Sequence, residues 1–389
     1  MLRSLFSGIS GLRAHQTMLD VTANNIANVN TTGFKSSQPQ FQDTLSQLIS
    51  SASGAQAGTG GTNPAQVGLG VKVAGVTTSF TQGSSQLTGR STDMMIQGDG
   101  FFVVRQGNQT LYTRAGSFDF DSTSQMVLPG DGALVQGWAA VNGVIDINAP
   151  ITDLRVPAGA LMASKPTAGA IYEGNLQSDA ATGTVLNRDI PVYNAVGSES
   201  TLSMQFAKTA TGWTVSGDGG ATTTAVTFTA AGVLTAPATL TVGGVAVDLS
   251  AVTGYAGVDT VKARSQDGYA AGTLESFSLG NDGTITGTFS NALKQVIGRI
   301  AISAFNNPAG LEKAGGSLFS TTANSGLAQL GTPGTGGRGT LSGGALEMSN
   351  VDLSKEFTSL IIAQRGFQAN SRVITTSDTI LEELINLKR

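Results

Sequence analysis

The sequence predicts an α+β fold that is mostly β, with discontinuous nested domains: paired N- and C-terminal coiled-coil helices and two β-rich outer domains. Three observations predict it. Apolar residues recur at alternating spacings of four and three at both ends of the chain. The stretch between the ends alternates apolar and polar residues in short runs divided by glycine turns. Composition agrees: 52 glycines and only 12% charged residues, against about 25% charged in an ordinary domain, suit many short strands and tight turns.

At the N-terminus Leu5, Ile9, Leu12, Gln16, Leu19, Ala23 and Ile26 keep the 3.5-residue repeat of a helix seam. Ser4 or Ser7 would cap this helix, and the cluster Asn28, Asn30 and Gly33 would end it. Residues 31–70 are polar and near low complexity over 50–61, with one apolar patch at Phe41, Leu45, Leu48 and Ile49, and predict a linker with a partly ordered segment. Residues 71–144 are strand-rich: Val71, Val73 and Val76 lie in an alternating run, while Met94-Met95-Ile96 and Phe101-Phe102-Val103-Val104 flank Gly98-Asp99-Gly100.

Residues 145–286 are dominated by Thr, Val, Ala and Gly, with turns at Gly217-Asp218-Gly219, Gly243-Gly244 and Asn281-Asp282-Gly283, and predict an inserted β-sandwich or barrel. Residues 287–330 return to strands, and 331–345 read as a glycine-rich linker. The last segment carries one seam through Leu353, Phe357, Leu360, Gln364, Phe367, Ser371, Ile374, Asp378, Leu381 and Ile385. At about 1.5 Å per residue this helix would run on the order of 55 Å. A second stripe through Ile362, Gly366, Ala369, Val373, Thr376, Ile380, Leu384 and Leu387 is offset by two positions, about 200° around the axis. The terminal helical domain is thus expected from 1–30 and 346–389, one seam pairing within the chain and the other facing a neighbour. The interface residues expected are Leu5, Ile9, Leu12, Leu19, Ile26, Leu353, Phe357, Leu360, Ile362, Phe367, Val373, Ile374, Ile380, Leu381 and Leu384.

Several function classes lack support. A net charge of −4 without a basic cluster gives no nucleic-acid footprint. Absence of cysteine removes disulfides, thiol nucleophiles and thiolate metal sites. Gly8, Ser10 and Arg13 interrupt any signal-peptide core, and no run is long enough to enter a membrane. Gly334, Gly336 and Gly339 fit a dinucleotide fingerprint by spacing, but no strand leads into them and no helix follows. Asp119 and Asp121 begin a calcium-loop pattern that fails at Ser124 and Gly130. His15 is the sole histidine, without paired carboxylate or cysteine, and Glu382 and Glu383 diverge by about 100° on a helix. No catalytic, cofactor-binding or metal site is expected.

The run Ala23-Asn24-Asn25-Ile26-Ala27-Asn28-Val29-Asn30-Thr31-Thr32-Gly33-Phe34-Lys35 resembles the N-terminal signature of the bacterial flagellar rod, hook and hook-associated family. Ser349-Asn350-Val351-Asp352-Leu353-Ser354-Lys355-Glu356-Phe357, with Gln364-Arg365-Gly366-Phe367-Gln368-Ala369-Asn370, resembles the matching C-terminal signature. The signature positions carried over are Asn24, Asn25, Asn28, Asn30, Gly33, Phe34, Gln364, Arg365 and Asn370. Segments 97–104 and 112–118 are similar to the family's first outer domain, and 290–313 to its closing half. The resemblance implies nesting: helix, domain, inserted domain, same domain, helix. Rod members are shorter, so the insertion favours the hook side, with a distal rod-like protein as the alternative.

What the resemblance implies is a structural, non-enzymatic subunit that needs no cofactor. It would self-assemble as a helical homopolymer into a flexible tube transmitting torque from rod to filament. Implied partners are the distal rod, hook cap and hook–filament junction proteins and the type III flagellar export apparatus. The location would be extracellular, in the flagellum, after export without a cleaved signal peptide. A reading of a different class, a secreted β-rich adhesin with a coiled-coil oligomerisation module, would need Trp213, Tyr255 and Tyr269 to line a pocket.

Overall fold

The computed structural model describes residues 2–54, 58, 60–157, 159–217 and 222–387. Outside the described residues lie Met1, Lys388 and Arg389 at the tips of the expected helical segments, part of the 50–61 stretch, and Asp218 and Gly219 of an expected turn. The chain forms two compact units: Met1–Val156 with Ser278–Thr286 and Val296–Arg389, and Pro157–Phe277 with Gly287–Gln295.

The first unit holds two long helices, α1 (Leu2–Ala27) and α2 (Leu353–Asn386). Because α1 begins at Leu2, Ser4 and Ser7 lie inside it rather than at its cap, and Ser10 Oγ bonds back to the Ser7 carbonyl at 2.8 Å. The start of α2 follows local chemistry. The Asp352 carboxylate accepts the N–H groups of Ser354 and Lys355 at 2.9 and 3.2 Å, and Glu356 places a negative charge in the first turn.

The β core of this unit is built on the strand Phe101–Gln106. It turns at Gly107-Asn108 and pairs with Gln109–Thr113, placing Phe102 opposite Thr113. On its other side it pairs with Ala133–Ala139 and with Ile302–Ala304. Strands that follow the insertion in sequence therefore complete a sheet begun before it. Phe101, Tyr112, Trp138, Phe305, Leu311 and Phe319 form the core. Their rings meet edge-on, as in Tyr112–Phe305 at 4.8 Å and Phe101–Phe305 at 5.6 Å, each pair worth about 0.5–1.5 kcal/mol beyond area burial.

Three segments differ from expectation. Residues 145–156 belong to the first unit, because Thr152–Asp153 pairs with Gln136 and Gly137, and Trp138 Nε1 donates to the Ala149 carbonyl at 2.9 Å. A buried indole requires both a cover and an acceptor, and the 145–156 segment supplies them. Residues 278–286 also sit here, where Arg299 meets Asp282 at 2.6 Å, while Gly287–Gln295 joins the second unit. The 31–70 region is a β-ribbon: Ser37–Asp43 pairs with Val71–Thr78, and Ser46–Ser50 with Ala65–Gly68. Neither face of the outer hairpin is buried, so no alternation marks it in the sequence. Residues 331–345 are strand-forming at their C-terminal end, with Thr340–Gly343 on Met94–Gln97 and Ala345–Glu347 on Ser85–Leu87.

The second unit is a sandwich. A five-stranded antiparallel sheet follows chain order from Val185–Tyr193 to Leu234–Ala236. A four-stranded sheet sets Gly169–Asn175 parallel to Val245–Thr253. Both contribute to one core containing Tyr172, Met204, Phe206, Trp213, Val215 and Val247.

Asp267 braces the start of Gly169–Asn175. It accepts the Gly169 and Ala168 N–H groups at 2.8 and 2.9 Å and pairs with Lys165 at 3.0 Å. These bonds, the Gly169 N–H first, pull its pKa from 3.8 down to about 2. A depressed carboxylate pKa stabilises the fold fully above the unfolded value and loses that contribution as pH falls through the folded value. Acid titration followed by circular dichroism should therefore show Asp267→Asn less stable than wild type above pH 4. The difference should shrink between about pH 4 and pH 2; a gap independent of pH there would contradict the assignment.

Candidate assembly interface

The two helices lie antiparallel. Gly8 faces Ile374 and Val373, Gly11 faces Asn370, His15 faces Gly366, and Asn25 reaches Glu356 with a 3.1 Å hydrogen bond. The packed line consists of small and polar residues: Gly8, Gly11, Ala14, Thr22 and Asn25 on α1, with Ala363, Gly366, Asn370 and Ser377 on α2. A Cβ on Gly11 would stand 2.6 Å from Asn370 Oδ1, and one on Gly366 would clash with the His15 imidazole. Glycines here allow close approach of two helix axes, which side chains at the contact otherwise hold about 8–10 Å apart.

The large apolar residues expected to form the inner seam are displaced from this line by about one position. Leu5, Ile9, Leu12, Leu19 and Ile26 are half-buried on its flank, as are Leu360, Ile374 and Leu381. Of these, Ile374 touches Gly8. Leu353, Phe357, Ile362, Phe367, Val373, Ile380 and Leu384 are 37–56% exposed. The physical reason is steric: glycine, alanine and serine pack closer than leucine, so they occupy the contact and the larger side chains are rotated outward. A glycine in a helix interior costs about 1 kcal/mol relative to alanine. Gly8, Gly11 and Gly366 were the signal in the sequence that the contact line ran through them.

The N-terminal signature residues gather at the base of the helix pair, whereas Gln364, Arg365 and Asn370 lie part-way along α2. Asn25, 1% exposed, bonds both backbone groups of Ser37 at 2.8 and 3.0 Å. Asn28 bonds the Asn24 carbonyl and accepts from Thr31, while Asn24 and Asn30 remain exposed. Gly33 adopts φ 67°, and a Cβ there would strike the Ala115 backbone; its N–H donates to the Glu347 carbonyl at 2.8 Å. The Phe34 ring carries Lys313 Nζ at 5.1 Å. Asn370 bonds the Gly366 carbonyl, and Gln364 and Arg365 face solvent.

Sequence reasoning missed a buried ionic cluster in the same place. Lys35 Nζ and Glu347 Oε1 are 2.7 Å apart, with neither side chain exposed, and Arg114 approaches Glu347 Oε2 at 3.5 Å. Burial pulls the pKa of Lys35 and Arg114 down, against the attraction of Glu347. Asn350 accepts from Ser36 N at 2.8 Å and donates to the Ser79 carbonyl at 2.9 Å. The chemistry of this site is adhesion between segments: it holds the connection leaving α1 against the connection entering α2.

Trp213 is in the second unit's core, its Nε1 donating to the Gln177 carbonyl at 3.1 Å. It is therefore withdrawn from the pocket that an adhesin reading requires.

Three family descriptions match the chain: flagella basal body rod protein over residues 5–35, flagellar hook protein FlgE/F/G D1 domain over 95–236, and flagellar basal body rod FlgEFG protein C-terminal over 342–387. A flagellar hook protein FlgE of Treponema pallidum is 39% identical, with all of both chains covered. The chain belongs to the flagellar hook protein FlgE family. The Escherichia coli FlgE is 36% identical over 98% of each chain, and a basal-body rod protein FlgG of Bacillus subtilis is 34% identical over the whole of both. The crystal structure of Helicobacter pylori hook protein FlgE2 shares the fold, with a TM-score of 0.52 at 14% identity over 66% of this chain and 98% of that one. Members of the FlgE family are structural flagellar proteins, not enzymes. Among the described residues of this member, no helix is long and apolar enough to cross a membrane.

Proposed function

We propose that the chain is the subunit that self-assembles, as a helical homopolymer, into the tubular hook, a flexible joint carrying torque from rod to filament. The observation that carries this is the unpartnered outer surface of the helix pair. Its inner line is filled by small residues, yet Phe6, Phe357, Ile362, Val373, Ile380 and Leu384 stand exposed. Each is about half exposed, so covering it contributes roughly half of the ~1.5–3 kcal/mol of a full burial, enough in combination to drive association. Coiled-coil packing then takes place between subunits, along the stripe through Ile362, Val373, Ile380 and Leu384, while the glycine line holds each subunit's own pair.

The low charge of the chain keeps contacts between subunits few in salt bridges, so they exchange readily as the tube bends. The distal rod, hook cap and hook–filament junction proteins are its partners at the tube's ends. It reaches the cell exterior through the flagellar export apparatus.

Removing residues 353–389 should leave a soluble β-rich monomer at concentrations where the full chain scatters light as polymer. Tubes from the shortened chain would overturn the role given to α2.

A further inference from the structure

We infer that Lys35, Arg114 and Glu347 form a coincidence lock: the connection leaving α1 and the connection entering α2 become rigid only together. Lys35 is the last residue of the N-terminal signature run and Glu347 precedes α2, so the pair spans 312 positions of sequence. Their side chains are wholly buried, and that of Arg114 is 2% exposed. Glu347 Oε1 accepts from Lys35 Nζ at 2.7 Å and from the Gly83 N–H at 2.9 Å, and its Oε2 faces Arg114 Nη1 at 3.5 Å. Lys35 also donates to the Thr81 carbonyl at 2.8 Å. The backbone repeats the linkage, since the Gly33 N–H bonds the Glu347 carbonyl and the Ser36 N–H bonds Asn350 Oδ1.

A buried ion pair adds little when complete, yet removing one partner strands a charge away from water. That asymmetry makes the site conditional. If the strand Ala345–Glu347 is undocked, Arg114 keeps Asp99 nearby and the Gly98 carbonyl, but Lys35 is a buried cation without a carboxylate, and the 31–36 segment has reason to leave. If Lys35 is withdrawn, Glu347 keeps Arg114 and the Gly83 N–H, so the loss is smaller. The lock therefore ties the connections of both helices to the segment that follows the strand Gln109–Thr113, as a stiff joint and not a hinge.

Its use in passing torque from helices to outer domains rests on the hook reading. The lock itself is tested on the full-length monomer, so the two fail separately. Amide hydrogen exchange should be compared at residues 31–36 and 345–350, with the strand Glu199–Thr209 of the second unit as internal control. Glu347→Gln is expected to speed exchange in both segments by about tenfold or more, and Lys35→Met in both by less. The double variant should fall well short of the product of the two. Each variant loosening only its own segment, or a multiplicative double, would overturn the proposal. Should Glu347→Gln not fold, Glu347→Asp, which retracts the carboxylate by one methylene, is read by the same comparison; loosening confined to 345–350 would again overturn it.

Discussion

Ile362→Asp is expected to abolish polymerisation while leaving both β units folded. Ile362 is 56% exposed in the single chain, so the substitution costs the monomer little, about 0.5 kcal/mol or less. In a polymer the same position would lie in the apolar stripe between subunits. There the variant loses on the order of 1 kcal/mol of further burial and must also desolvate a carboxylate with no partner, which costs several kcal/mol more. Together these exceed about 4 kcal/mol, or roughly a thousandfold in association constant. Sedimentation velocity would report monomer at concentrations where wild type assembles, with unchanged far-ultraviolet circular dichroism. A normal polymer would show that the stripe through Ile362 is not an assembly surface.

Gly366→Leu should loosen the helix pair, and His15→Ala should restore most of the loss. A Cβ at Gly366 would clash with the His15 imidazole, and leucine adds three more carbons. Overpacking of this kind costs about 1–3 kcal/mol, against about 1 kcal/mol gained in helix propensity. The net loss expected is up to about 2 kcal/mol, seen as up to roughly 30-fold faster amide exchange within α1 and α2. Shortening His15 opens the space the leucine needs. Equal loosening with and without His15→Ala would mean that this contact does not set the approach of the helices.

The helices were legible because a 3.5-residue repeat survives in the order of residues, and their pairing followed from matched repeats at both ends. Which face paired was not legible by hydrophobicity. That rule follows Leu, Ile and Phe, whereas the contact follows Gly8, Gly11, Ala363 and Gly366, whose small size draws the axes together. The 71–144 strands were legible from apolar runs between turns. The outer hairpin of the 31–70 ribbon was not, because it buries no face and so imposes no alternation. Trp138 closing on Ala149, and Lys35 meeting Glu347 across 312 positions, depend on tertiary proximity that local pattern does not encode. The signature residues were legible as a set, yet only the structure separates Asn25, which clamps Ser37, from Asn24 and Asn30 in solvent.

The central claim is that the helix pair closes inward on small residues and polymerises through its outer apolar stripe. A density map of the polymer formed by the full chain tests it most directly. Ile362, Val373, Ile380 and Leu384 should be buried against helices of neighbouring copies, with Gly366 still facing His15 of the same chain. A tube in which those four side chains remain in solvent, or in which α1 and α2 have parted to pair with other subunits along the glycine line, would contradict the account.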